Sequence, residues 1–103
     1  MPDDFKALTD VNRVIHEPAR LVIVTILYTA ASADFLFLLR ETGLTKGNLG
    51  SHLARLEEVG YVKIEKTYRG KLPQTICSLT EEGRTAFREY RERMRRAVAS
   101  LPE

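Results

Sequence analysis

The chain has 103 residues, with 16 Lys+Arg against 14 Asp+Glu and a formal net charge of +2. That is the length of one domain with a modest core, and 44% hydrophobic with 29% charged residues excludes a disordered chain. The total hides an asymmetry: residues 1–45 carry four basic and six acidic side chains, and residues 46–96 carry twelve and seven, which hints at an anionic partner for the second half.

Residues 4–14 read as a first helix. Phe5, Leu8, Val11 or Asn12, and Ile15 follow a helical period, and Asp3 and Asp4 favour its N-terminus. Residues 18–31 are apolar all round and β-branched, so a buried strand is one reading. Helix is the better one, because Pro18 suits a first helical position, Glu17 precedes it, and the run is long. A helix apolar on every face is central, or covered by a partner subunit. A short strand could lie near Asp34. Residues 35–42 form a short helix with Phe35, Leu38 and Leu39 on one side, stopped by Gly43. Thr45 offers an N-cap for residues 46–59, a helix with the core stripe Leu49, Leu53 and Leu56, closed by Gly60.

After Gly60 the period changes to two. Val62 and Ile64 alternate with Lys63 and Glu65 as a strand, and residues 74–79 form a second. The basic, turn-like residues 67–73 between them imply a β-hairpin with a long tip. Thr80, Glu81 and Glu82 start a last helix over 81–100. Gly83 stands where a full capping box has Glu, so the cap is partial. Phe87, Tyr90, Met94, Ala97 or Val98, and Leu101 form a seam at spacings of three and four.

Two helices joined by a tight Gly-containing turn are a helix-turn-helix, and a basic hairpin directly after them makes it winged. Residues 44–62 (LTKGNLGSHLARLEEVGYV), with Arg69-Gly70-Lys71 and residues 79–84 (LTEEGR), resemble small MarR- and ArsR-like winged helix-turn-helix transcriptional regulators. The resemblance spans residues 34–84. It implies an α+β, mostly α fold: a three-helix core, a β-hairpin wing and extra terminal helices, with residues 1–103 one DNA-binding domain. It also implies a homodimer built on terminal helices, here on the 81–100 seam.

At about 100° per residue, turning Leu49, Leu53 and Leu56 inward presents Gly47, Asn48, Ser51, Arg55 and Glu58 outward. Asn48, Ser51 and Arg55 are the candidate base readers, since Asn can pair with adenine and Arg with guanine. Lys46 and His52 on the flanks, and Lys66, Tyr68, Arg69 and Lys71 in the wing, are candidate backbone contacts that give affinity more than choice. A solvated helix face is the bland alternative; the turn, the cap and the basic hairpin together favour double-stranded DNA. The competing class is a winged helix serving protein–protein interaction.

One cysteine, Cys77, excludes an intrachain disulfide. Its place in a strand implies a buried structural thiol. The chain departs from the clustered thiolates or His/carboxylate sets of ArsR-like metal sensors, so no metal or cofactor is expected. His16 reads as part of a helix start. Two histidines and no nucleophile motif argue against an enzyme. The charge-free run 21–33 is short of the roughly 20 apolar residues a spanning helix needs, and the acidic start is unlike a signal peptide. A cytoplasmic protein without a membrane partner is expected. A small hydrophobic effector could bind between subunits if residues 21–28 line a pocket there.

Overall fold

A computed structural model describes residues 2–102, with side chains from Phe5 onward. In chain order the elements are α1 (Pro2–Thr9), α2 (Pro18–Thr29), β1 (Ala33–Asp34), α3 (Phe35–Thr42), α4 (Lys46–Glu58), β2 (Val62–Arg69), β3 (Leu72–Leu79) and α5 (Glu81–Ala99). The three strands form one antiparallel sheet in the order β1-β3-β2. This is the α+β, mostly helical winged helix expected.

Capping side chains set four of the helix starts. Glu17 accepts the N–H groups of Ala19 and Arg20 at the start of α2, and Asp34 accepts that of Phe37 at α3. Thr45 accepts from Asn48 at α4, and Thr80 from Gly83 at α5. Each satisfies backbone donors that the first helical turn leaves unpaired.

The core lies between α2, α3, α4, the sheet and the first half of α5. Ile15, Ile23, Val24, Leu27, Leu38, Leu49, Leu56 and Cys77 are fully buried there. Removing each large aliphatic side chain from water contributes roughly 2 kcal/mol. Leu49, Leu53 and Leu56 all face inward, as their spacing requires. Among the described residues no buried side-chain polar atom lacks a partner, and no helix is long and apolar enough to cross a membrane.

Three elements differ from the sequence expectation. The first helix ends at Thr9 rather than near residue 14, because Asn12 Oδ1 accepts the N–H groups of Val14 and Ile15. An Asn side chain bonded this way offers the backbone a turn instead of a helix. Phe5 and Leu8 are consequently exposed, while Ile15 enters the core from the turn. The second helix is not buried all round. Val22, Thr25 and Thr29 are exposed, and the two hydroxyls donate to carbonyls one turn back.

The hairpin is a longer ribbon with a shorter tip. Arg69 pairs with Leu72 across the two-residue turn Gly70-Lys71. Gly70 has φ +65° and, among the described residues, no other residue type has positive φ, so glycine holds the first central position, as in a II′ turn. Pro73 lies within β3, opposite Tyr68. It is tolerated because β1 pairs with β3 only at Cys77 and Ile76, leaving the Pro73 edge open.

Candidate nucleic-acid interface

The helix-turn-helix is built by α3, a three-residue turn and α4. Gly43 ends α3 in the left-handed region at φ +70°, with its N–H donating to Leu39. Thr42 Oγ1 accepts from the Leu44 N–H, and Thr45 then caps α4. These local bonds fix the angle at which α4 leaves the turn. Its three leucines anchor one side in the core, so the opposite side is exposed from Lys46 to Glu58.

That side carries Gly47, Asn48, Ser51, Ala54 and Arg55. Arg55 Nη1 lies 2.9 Å from Glu58 Oε1, one helical turn on. An exposed pair of this kind is worth at most about 1 kcal/mol, so Arg55 can leave it cheaply for a stronger acceptor. A Cβ built on Gly47 or Gly50 meets nothing within 4 Å. The fold itself therefore does not need glycine at either position, although each costs a helix up to about 1 kcal/mol relative to alanine. Small residues here leave the helix backbone open to close approach from outside.

Between α4 and the ribbon lies a groove of about 390 Å³, lined by Gly50, Ala54 and Glu57 from the helix and by Ile64, Lys66 and Thr75 from the strands. It joins the two candidate surfaces on one side of the molecule and puts Lys66 beside the small residues of α4. Tyr68, Arg69 and Lys71 are all exposed further along the ribbon. The structure thus sets Asn48, Ser51 and Arg55 together on the exposed face of α4 and puts Lys66 against Gly50, Ala54 and Glu57 of the same helix, with the remaining wing residues further along the ribbon.

His52 is placed differently. Its ring turns to the start of α2, with Nδ1 3.2 Å from Arg20 Nη1 and 3.5 Å from Glu17 Oε2. The seam of α5 also divides. Phe87 packs on Tyr28 with ring centroids 4.9 Å apart, and the Tyr90 hydroxyl meets His16 Nδ1 at 2.8 Å. Both spend their surface inside their own chain, because the first half of α5 completes the core. Met94 is half-buried, and Val98 and Leu101 are exposed. An apolar groove of about 380 Å³ runs between Leu21 of α2 and the Phe87-to-Val98 side of α5.

Sequence reasoning missed the long-range polar pairings, among them Asn12 with Tyr61, 49 positions apart, Arg20 with His52, 32 apart, and His16 with Tyr90, 74 apart. No local signal marks any of them. Cys77 is fully buried, and burial, helped by the charges of Asp34 and Glu57, pushes its thiol up to about 11. It stays protonated and unreactive at neutral pH.

Comparison with known proteins points the same way. Residues 19–98 match a family described as winged helix DNA-binding domain. An uncharacterized protein of Methanocaldococcus jannaschii is 35% identical over 78 residues, covering 76% of this chain and 85% of that protein. The structure of a transcriptional regulator homologue from Pyrococcus horikoshii OT3 superposes with TM-score 0.89 at 26% identity, over 95% of this chain and 99% of that one. A protein of Enterococcus faecalis V583 assigned to the MarR family of transcriptional regulators shares the fold, with TM-score 0.65, 22% identity and 86% of each chain covered.

Proposed function

The chain belongs to the family of winged helix DNA-binding domains, and on that premise we propose that it is a cytoplasmic transcriptional regulator that reads double-stranded DNA by sequence as a homodimer. The observation that carries this reading is the open polar face of α4. Asn48, Ser51 and Arg55 stand there on a backbone made approachable by Gly47 and Ala54, with Lys66 of the wing across one groove.

In the proposed complex α4 enters the major groove. Arg55 exchanges Glu58 for a guanine edge, and Asn48 meets an adenine. Lys46, Lys66, Arg69 and Lys71 meet phosphates, and Tyr68 packs on a sugar. Two copies would set two such helices about one DNA turn apart, on a site with two-fold symmetry.

Selection of bound duplexes from a random pool, at two salt concentrations, tests this directly. A two-fold-related consensus and steep salt dependence are expected. Arg55→Ala should cost about 1–3 kcal/mol and relax the preference at one base position. Lys71→Ala should weaken all sequences alike and flatten the salt slope by about one unit. Binding without sequence enrichment or salt dependence would instead favour a protein-interaction module.

A further inference from the structure

The polar cluster of Glu17, Arg20 and His52 has no place in the DNA contacts proposed above, yet it is specifically built. Glu17 is pinned to the start of α2, its Oε1 accepting from Ala19 N and its Oε2 from Arg20 N at 3.0 and 2.9 Å. Arg20 is pinned in turn, with Nε donating to the Val14 carbonyl at 2.6 Å. The side chains of Glu17, Arg20 and His52 are 29%, 18% and 24% exposed. Two anchored groups of α2 therefore converge on one ring of α4.

Among the described residues, His52 is the α4 side chain whose polar atoms reach another element. Every other α4 contact with the core is apolar. Burial of the Leu49, Leu53 and Leu56 stripe decides which side of α4 faces inward, but apolar burial is non-directional and sets the fine rotation within that arc less closely. A hydrogen bond does fix it, because it weakens steeply away from its preferred angle. His52 lies between Ser51 on the open face and Leu53 in the core. Its direction therefore refines where the open face points.

We propose that Glu17 and Arg20 are positioning residues that, through His52, fix the rotation of α4 about its axis and so aim Asn48, Ser51 and Arg55. The inference rests on reading α4 as the DNA-reading helix, and the experiment separates the two claims. Arg20→Met and His52→Leu keep bulk but remove the bonds. His52→Gln keeps a side-chain acceptor for Arg20.

Residual dipolar couplings of the full chain, without DNA, report the orientation of α4 against α2. A changed orientation in Arg20→Met and His52→Leu, with the parent orientation in His52→Gln, is expected. Unchanged couplings in all three would overturn the proposal. If the two disruptive variants do not fold, Glu17→Gln, which keeps a capping acceptor but gives up the charge, carries the same test with a smaller rotation expected.

DNA titrations form the second arm. The ratio of selected-site to random-DNA affinity should fall about tenfold in the disruptive variants, the scale of one lost base contact. The salt slope should stay at the parent value, and His52→Gln should retain the ratio. A slope reduced by about one unit would make Arg20 or His52 a phosphate contact and overturn positioning. Altered couplings in the disruptive variants, with a parent that prefers no DNA sequence, would leave the positioning device standing and remove the DNA-reading function.

Discussion

Gly83 and Gly47 both sit near the start of a helix, and the structure assigns them opposite constraints. A Cβ at Gly83 would run into the Tyr61 carbonyl, which also accepts the Thr80 N–H at 3.0 Å. The start of α5 lies directly on the base of the wing, and only glycine allows that approach. Gly83→Ala should lower stability by about 1–3 kcal/mol, as overpacking does, and thermal unfolding should show a drop of several degrees. Gly47 faces open space. Gly47→Ala should stabilise the fold by roughly 0.5–1 kcal/mol through helix propensity while weakening DNA affinity, because its methyl would stand in the proposed groove. A melt and a binding titration moving in opposite directions are the expected pair of results; tighter binding would remove α4 from the groove. In sequence, Gly83 is legible only as a missing capping-box Glu. The carbonyl it avoids is 22 positions away, and that proximity exists only after folding.

At the scale of elements, caps and turns carry the chain from one segment to the next. Burial pushes the Glu17 carboxyl up, but the N–H groups of Arg20 and Ala19, with His52 and Arg20 charge nearby, outweigh it and hold it below its ordinary 4.5. The Phe37 N–H, against burial and with help from Gln74, holds Asp34 below its ordinary 3.8. In both, the folded state favours the ionised form. The unfolded chain then binds more protons as pH falls, so the stabilisation is present at neutral pH and is lost through the acid range below about 4.5. Urea midpoints should drop between about pH 5 and pH 3. Glu17→Gln and Asp34→Asn should each be less stable at neutral pH and show a shallower drop. Glu17 was legible as the acid ahead of its helix, whereas Asp34 read only as the place of a short strand, although both caps are set within three residues. The wing was half legible. Alternation located its strands, but Gly70 and Pro73 read as loop composition, whereas the sheet's open edge lets Pro73 stay in the ladder.

The molecule as a whole measures 57 × 25 × 20 Å, drawn out by the second half of α5 with α1 packed along it. Phe5 and Leu8 of α1, Val98 of α5 and Leu101 just beyond it are each at least 45% exposed. On the proposed homodimer these side chains, rather than Phe87 and Tyr90, supply the apolar contact, since the latter two already complete the core. Replacing Val98 and Leu101 together by Glu should convert dimer to monomer in sedimentation at micromolar concentration, with little change in the secondary structure seen by circular dichroism. The variant should bind half-sites without cooperativity. A parent that sediments as monomer at that concentration would refute the dimer.

The sequence alone determined what short-range chemistry controls: the helix and strand periods, the helix-start residues Glu17, Thr45 and Thr80, the turn at Gly43, and the side of α4 that faces outward. Those features depend on neighbours a few positions apart, and their residues carry the rule. Only the tertiary structure decided which apolar residues stay exposed, where Asn12 ends the first helix, which half of α5 joins the core, and that His52 turns inward to Glu17 and Arg20. Each of these depends on groups tens of residues apart competing for the same space and the same hydrogen bonds, and that competition is resolved only when the chain closes on itself.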